Sequence, residues 1–182
     1  MDKPKNQIKK AHDYHGNLSD ILKEYKYQKD LTAYLDTITG QFLSQHLINE
    51  IVLWKVNRYI SIDEGIIEDL YKISEIKTKN HRSADKIIRK LLEIKGVDLP
   101  MASTILRFQN PRVFQIIDRH AYRAIYGVKY PFNSSSNKEK KIEKYFDYID
   151  RLHDLCTIKK LHFKTIDRVL YQFDKSENKK LK

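Results

Sequence analysis

Asp118 stands in the stretch "FQIIDRHAYRAIYG", directly after Ile116 and Ile117 and directly before Arg119 and His120. A lone carboxylate with apolar residues on one side and cations on the other has two uses. It can cap the helix that "RHAYRAIYG" is spaced to form, accepting hydrogen bonds from that helix's free amides. It can also face a substrate on which positive charge develops, stabilising that charge or orienting a water. The two uses do not exclude each other. His120 and Arg123, three apart, share one face of the same predicted helix and can support the same site.

The elements that must hold this acid lie just upstream. Ala84, Ile88, Leu91 and Leu92 form one apolar stripe, and Ala102, Ile105 and Leu106 form the next, with only Ile94-Lys95-Gly96-Val97-Asp98 between them. Two helices joined by so short a turn make a helical hairpin. Asp98 is spaced to accept from the free amides of the second helix. Pro100 suits that helix's first turn, where its missing N–H costs nothing. Exposed amides at such a helix start, backed by the positive end of the helix dipole, form an anion site. Pro111 then sits in the loop that leads to Asp118.

Taken together, "LLEIKGVDLPMASTIL", Pro111 and "IIDRHAYRA" resemble the helix-hairpin-helix-GPD superfamily of base-excision DNA glycosylases, which includes endonuclease III and the adenine, 8-oxoguanine and 3-methyladenine glycosylases. The resemblance spans residues 91–127, about a fifth of the chain, and includes the Asp-x-His-x-x-Arg arrangement at Asp118, His120 and Arg123. It implies an all-α, two-lobed fold. Asp118 is then the catalytic carboxylate, and Lys95, Gly96, Val97, Asp98, Leu99, Met101, Ala102, His120 and Arg123 form the DNA grip. It further implies that the carbonyls of Leu92, Ile94 and Val97 hold a monovalent cation, Na+ or K+, against a phosphate.

The departures carry information too. Asp98 replaces the second hairpin glycine and brings an acid close to where a phosphate is expected. Pro100 occupies the place of the lysine that bifunctional family members use. Without that amine there is no Schiff base and no strand nicking, so the resemblance implies a monofunctional enzyme that hydrolyses the N-glycosidic bond. The cysteine cluster of part of the endonuclease III branch is absent, since Cys156 is the only cysteine. Upstream, "IVLWKVNRYI" falls where the family carries the helix lining the base pocket. Trp54, Lys55, Asn57 and Arg58, with Tyr122, are therefore candidates for a base pocket or a wedge that fills the gap in the duplex.

Composition is consistent with this chemistry. With 35 Lys+Arg against 24 Asp+Glu the formal charge is +11, which favours a polyanion as partner, and duplex DNA over a membrane surface. A single cysteine excludes an intramolecular disulfide and a four-cysteine metal site. The spacing of His12 and His15 in a polar leader is a chance pair rather than a metal site. The longest apolar runs are too short to span a bilayer, and no apolar region follows the basic N-terminus, so a cytoplasmic monomer without a small-molecule cofactor is expected.

Helical periodicity runs through the chain, giving about eight helices. One stripe is Ile142, Tyr145, Phe146, Ile149, Leu152 and Cys156; another is Phe163, Ile166, Val169, Leu170 and Phe173. Gly40 separates two of the helices, Ser83 is a candidate start for "ADKIIRKLLEI", and Ser61 with Glu64 fits a capping box. Residues 1–16 read as a flexible basic leader, 17–174 as a single glycosylase-like unit and 175–182 as a flexible lysine-rich tail. The competing reading is a non-catalytic helix-hairpin-helix DNA-binding protein that kept the hairpin and lost the pocket.

Overall fold

A computed structural model describes residues 8–38, 40, 43–56, 60 and 62–178. Its centre is α6 (Leu99–Gln109), on which every residue but Pro100 is buried. A helix buried on all sides has to be enclosed by others. Here α3 (Gln45–Val56), α4 (Glu64–Lys72) and α5 (Asp85–Leu91) pack around it. Leu99, Ala102, Ile105 and Leu106 on α6 are wholly inaccessible, as are Ile48, Ile51 and Val52 on α3. Each large aliphatic side chain buried in this way contributes about 2 kcal/mol.

The remaining helices are α1 (Leu18–Leu22), α2 (Lys29–Thr37), α7 (Arg119–Tyr126), α8 (Lys138–Lys159) and α9 (Ile166–Glu177). The described residues form nine α-helices and no strand. The all-α expectation holds, with α1 as an addition: at five residues it is too short to show a helical period. α9 packs on α7 and α1, and α2 on α3. The stripe on α8 is buried as spaced, except that Cys156 is half-buried. Burial pushes the Cys156 thiol up to about 11.

Several local starts differ from the sequence expectation. Asp63, not Ser61, caps α4, accepting from the Ile66 amide at 3.0 Å, while Ser61 lies outside the described residues. An aspartate directly before the first turn satisfies that amide without a capping box. Ser83 does not start α5; His81–Ala84 is a 3-10 turn in which the Ser83 hydroxyl donates back to Asn80 O at 2.8 Å. The two ends of the described residues also meet. Lys9 N donates to Asn178 Oδ1 at 2.8 Å, Asn178 Nδ2 returns a bond to Lys9 O at 3.1 Å, and Ala11 is wholly buried. Gly127 closes α7 with φ +70°, and a Cβ there would come within 2.7 Å of Lys10 Cε. Glycine adopts that left-handed backbone without strain and leaves room for the Lys10 side chain.

The loop into α7 is braced from two sides. Tyr145 and Tyr148 of α8 donate to the carbonyls of Gln115 (3.0 Å) and Ile116 (2.8 Å). From α6, Ser103 Oγ accepts from Ile117 N at 3.2 Å. Three buried bonds on three successive residues leave the next one, Asp118, little freedom to shift.

Candidate active site

Asp118 caps α7 through one oxygen only. Its Oδ1 accepts from the amides of His120 at 2.9 Å and Ala121 at 2.8 Å. Its Oδ2 faces Lys55 of α3, with Nζ 3.6 Å away. Both side chains are less than one-fifth exposed. They line a cavity of about 480 Å³ walled by Tyr25, Tyr27, Trp54, Tyr130 and Tyr171, with Pro100, Ile116, Arg119, His120, Ala121, Asp167 and Arg168 completing it. The volume lies within the range of small-molecule pockets.

The aromatic wall is assembled from distant parts of the chain. Tyr27 and Phe108 meet the Trp54 ring edge-on, each at 5.2 Å, and Tyr171 contacts Tyr25 at 5.9 Å and His120 at 4.9 Å. Trp54 Nε1 donates to Thr32 Oγ1 at 2.6 Å, so the indole serves the core and the cavity together. Burial pushes the Tyr25 and Tyr130 phenols well above their usual range, which keeps both neutral.

His120 and Arg123 are joined by a residue that sequence reasoning missed. Asp174 of α9 is wholly buried and receives His120 Nδ1 at 2.7 Å, Arg123 Nε at 2.7 Å, Arg123 Nη2, and Asn178 Nδ2 at 2.9 Å. Burial alone would raise the Asp174 carboxyl, but the bonds from His120, Arg123 and Asn178 outweigh it and hold the group below the usual carboxylate range. An ionised carboxylate only accepts, so the His120 proton sits on Nδ1. Arg119 Nε then donates to His120 Nε2 at 3.3 Å. The Asp-x-His-x-x-Arg spacing thus serves to bolt α7 to α9: Arg123 is directed at Asp174, and His120 both binds Asp174 and lines the cavity.

A second cluster closes the far wall. Arg107, almost wholly buried, donates to Asp36 at 2.5 Å and to Lys164 O at 3.0 Å, and its Nε lies 3.4 Å from Asp167. Arg168 also binds Asp36. Burial raises the Asp36 carboxyl, and the two guanidinium groups overcome that and lower it.

A short turn joins α5 to α6, with Gly96 at φ +90°. Its amides, however, are largely spoken for. Asp98 Oδ1 accepts from Leu99 N at 2.7 Å, and Asp98 O accepts from Met101 N and Ala102 N, both at 2.9 Å. The side chains of Val97, Leu99, Met101 and Ala102 are in the core. Of the residues assigned to the DNA grip, Lys95 and Gly96 are the ones exposed in this turn. The Asp98 carboxylate is itself neutralised: Lys141 Nζ, 3% exposed, lies 2.6 Å from Oδ1. Among the carbonyls suggested for a monovalent cation, that of Ile94 already accepts Val97 N–H at 3.0 Å. Backbone carbonyls are the right donors for such an ion, and no cluster of three His, Cys, Asp or Glu suited to another metal occurs among the described residues.

Tyr122 does not reach the cavity. It is buried against Tyr126 at 4.3 Å and Tyr130 at 5.4 Å, and Tyr130 lines the cavity in its place. Asn57 and Arg58 lie outside the described residues. The signal that could have marked Tyr25, Tyr27, Tyr130 and Tyr171 was the high tyrosine count, twelve in all, in a chain otherwise poor in aromatic residues outside its core stripes. No helix among the described residues is long and apolar enough to cross a membrane. Comparison of the chain with protein-family models, with curated proteins and with solved structures finds no match.

Proposed function

We propose that the protein is a DNA glycosylase that acts as a monomer on duplex DNA and hydrolyses the N-glycosidic bond of a damaged or modified base. The observation that carries this reading is the division of labour on Asp118: one oxygen locked into the α7 cap, the other directed into an aromatic cavity. A base leaving deoxyribose builds positive charge on the sugar. A fixed carboxylate oxygen stabilises that charge and orients the attacking water, and the cap prevents it from swinging away. A base inside a duplex cannot reach Asp118, so it must be flipped out, and flat aromatic walls are suited to receive it. The +11 charge supplies the backbone attraction, and the reaction requires no cofactor.

The test is incubation with duplexes carrying a panel of base lesions, scored for abasic sites after alkali. Release of at least one base is expected, together with duplex binding that weakens steeply as salt rises. Salt-sensitive binding with no base released from any lesion would favour the non-catalytic DNA-binding reading instead.

A further inference from the structure

We propose that Lys55 is a second reacting group of this site: an amine that condenses with the aldehyde of an abasic deoxyribose and cleaves the strand by β-elimination. The inference deepens the glycosylase reading, because it takes that reaction's product as its substrate. Pro100 removes the amine from the hairpin, but the tertiary structure brings another one to the same carboxylate from α3. Lys55 is the one lysine among the described residues lining the cavity. Arg119 and Arg168 share the lining but stay protonated and cannot serve as nucleophiles.

Its placement is held from behind. The Trp54 carbonyl accepts from Tyr27 Oη and Gln28 Nε2, both at 2.7 Å, and the Lys55 carbonyl accepts from Tyr27 Oη at 3.4 Å. Those bonds satisfy carbonyls at the end of α3 that the helix itself leaves open. The backbone of Lys55 is thereby pinned while its side chain extends to Asp118. At 3.6 Å the pair is an ion pair rather than a closed hydrogen bond, and it borders a cavity instead of packed side chains.

The chemistry balances with these groups. Asp118 Oδ2 takes a proton from the Lys55 ammonium, and the free amine adds to C1′ of the ring-opened abasic sugar. Loss of water gives the imine. Asp118, having returned its proton to the departing hydroxyl as that water is lost, then removes a proton from C2′, and the C3′–O bond breaks, with its electron pair leaving on the 3′ phosphate. Water hydrolyses the unsaturated imine and returns the amine.

The experiment uses the full chain and a labelled duplex with one preformed abasic site, with borohydride added to reduce the imine. The expected result is a covalent complex whose digest maps the adduct to Lys55, and a nick that appears without alkali. Lys55→Arg keeps the positive charge and the ion pair with Asp118, so a purely structural role would survive it; both adduct and nick should be lost, with the circular dichroism of the parent. An adduct mapped to other lysines, no adduct at all, or undiminished trapping by Lys55→Arg would overturn the proposal. Because the abasic site is preformed, the outcome does not depend on finding the excised base. Base release in the lesion panel without trapping would sink the lysine assignment alone, and trapping at Lys55 without any base release would sink the glycosylase reading alone.

Discussion

Asp98 and Asp118 are two aspartates doing the same local job in different surroundings. Each caps the helix that follows it. At Asp98 a single oxygen, Oδ1, receives both the Leu99 amide and the buried Lys141 ammonium. At Asp118 one oxygen receives both amides and the other faces Lys55 across an open cavity. The lysine partner differs too: Lys141 is 3% exposed and Lys55 17%. Both pairs border a cavity of similar size, but the one beside Asp118 is walled by aromatic rings and the one beside Asp98 by Ser134, Ser135, Ser136 and Asn137. A capping carboxylate becomes a candidate for chemistry when its second oxygen and its counter-ion face walls that can hold a substrate. Otherwise it remains part of the frame.

The largest effect that would break this comparison is at Asp118. Asp118→Asn keeps the size and the capping oxygen but removes the charge that matters as the sugar becomes cationic, so excision should fall roughly 100- to 1,000-fold. Duplex binding and helix content should hold, measured by titration and circular dichroism. Parental excision rates from a folded Asp118→Asn protein would end the catalytic assignment.

At Asp98 the expected loss is in stability. Asp98→Ala removes a cap and leaves the Lys141 ammonium buried without its carboxylate, a change that costs about 3 kcal/mol. Urea unfolding would measure it, and a loss below about 1 kcal/mol would mean that the Lys141 pair contributes little beyond the cap itself.

Asp174 sharpens the contrast as a third acid, wholly buried and fully engaged. Its folded-state carboxyl is held below the ordinary range, so its contribution is complete above the unfolded value of about 4 and is lost as pH falls through the lower folded value. Asp174→Asn should therefore be less stable than the parent at neutral pH, with the gap closing as pH drops below about 4. A gap that stays constant across that range would show that the carboxylate's charge is not what bolts α7 to α9.

Legibility in the sequence tracked the range of the interaction. The caps at Asp98 and Asp118 were readable because an aspartate and the amides it serves lie within three residues of each other. The α8 stripe was readable because helical spacing puts Ile142, Tyr145, Ile149 and Leu152 on one face. Ser83 and Ser61 misled because a hydroxyl can equally bond back into a preceding turn, or be passed over for a neighbouring Asp63. The pairing of His120 and Arg123 was visible as spacing, but its object, Asp174, was not, since it lies 54 and 51 positions away. Tyr122 offers an aromatic ring four residues from Asp118, but helix rotation turns it into the core.

What the sequence by itself determined is the helical character of the described residues, the turn at Gly96 and the presence of a carboxylate at the head of α7. These follow from backbone preferences, apolar periodicity and capping over a few residues, which any packing of the helices must respect. Only the tertiary structure decided which Asp118 oxygen stays available, that Lys55 arrives 3.6 Å from it, and that tyrosines from the α1–α2 connection and from α9 wall the cavity. Those relations join residues as much as 146 positions apart, as Tyr25 and Tyr171 are. They depend on the angles at which helices settle once their apolar faces are buried, and no local spacing encodes those angles.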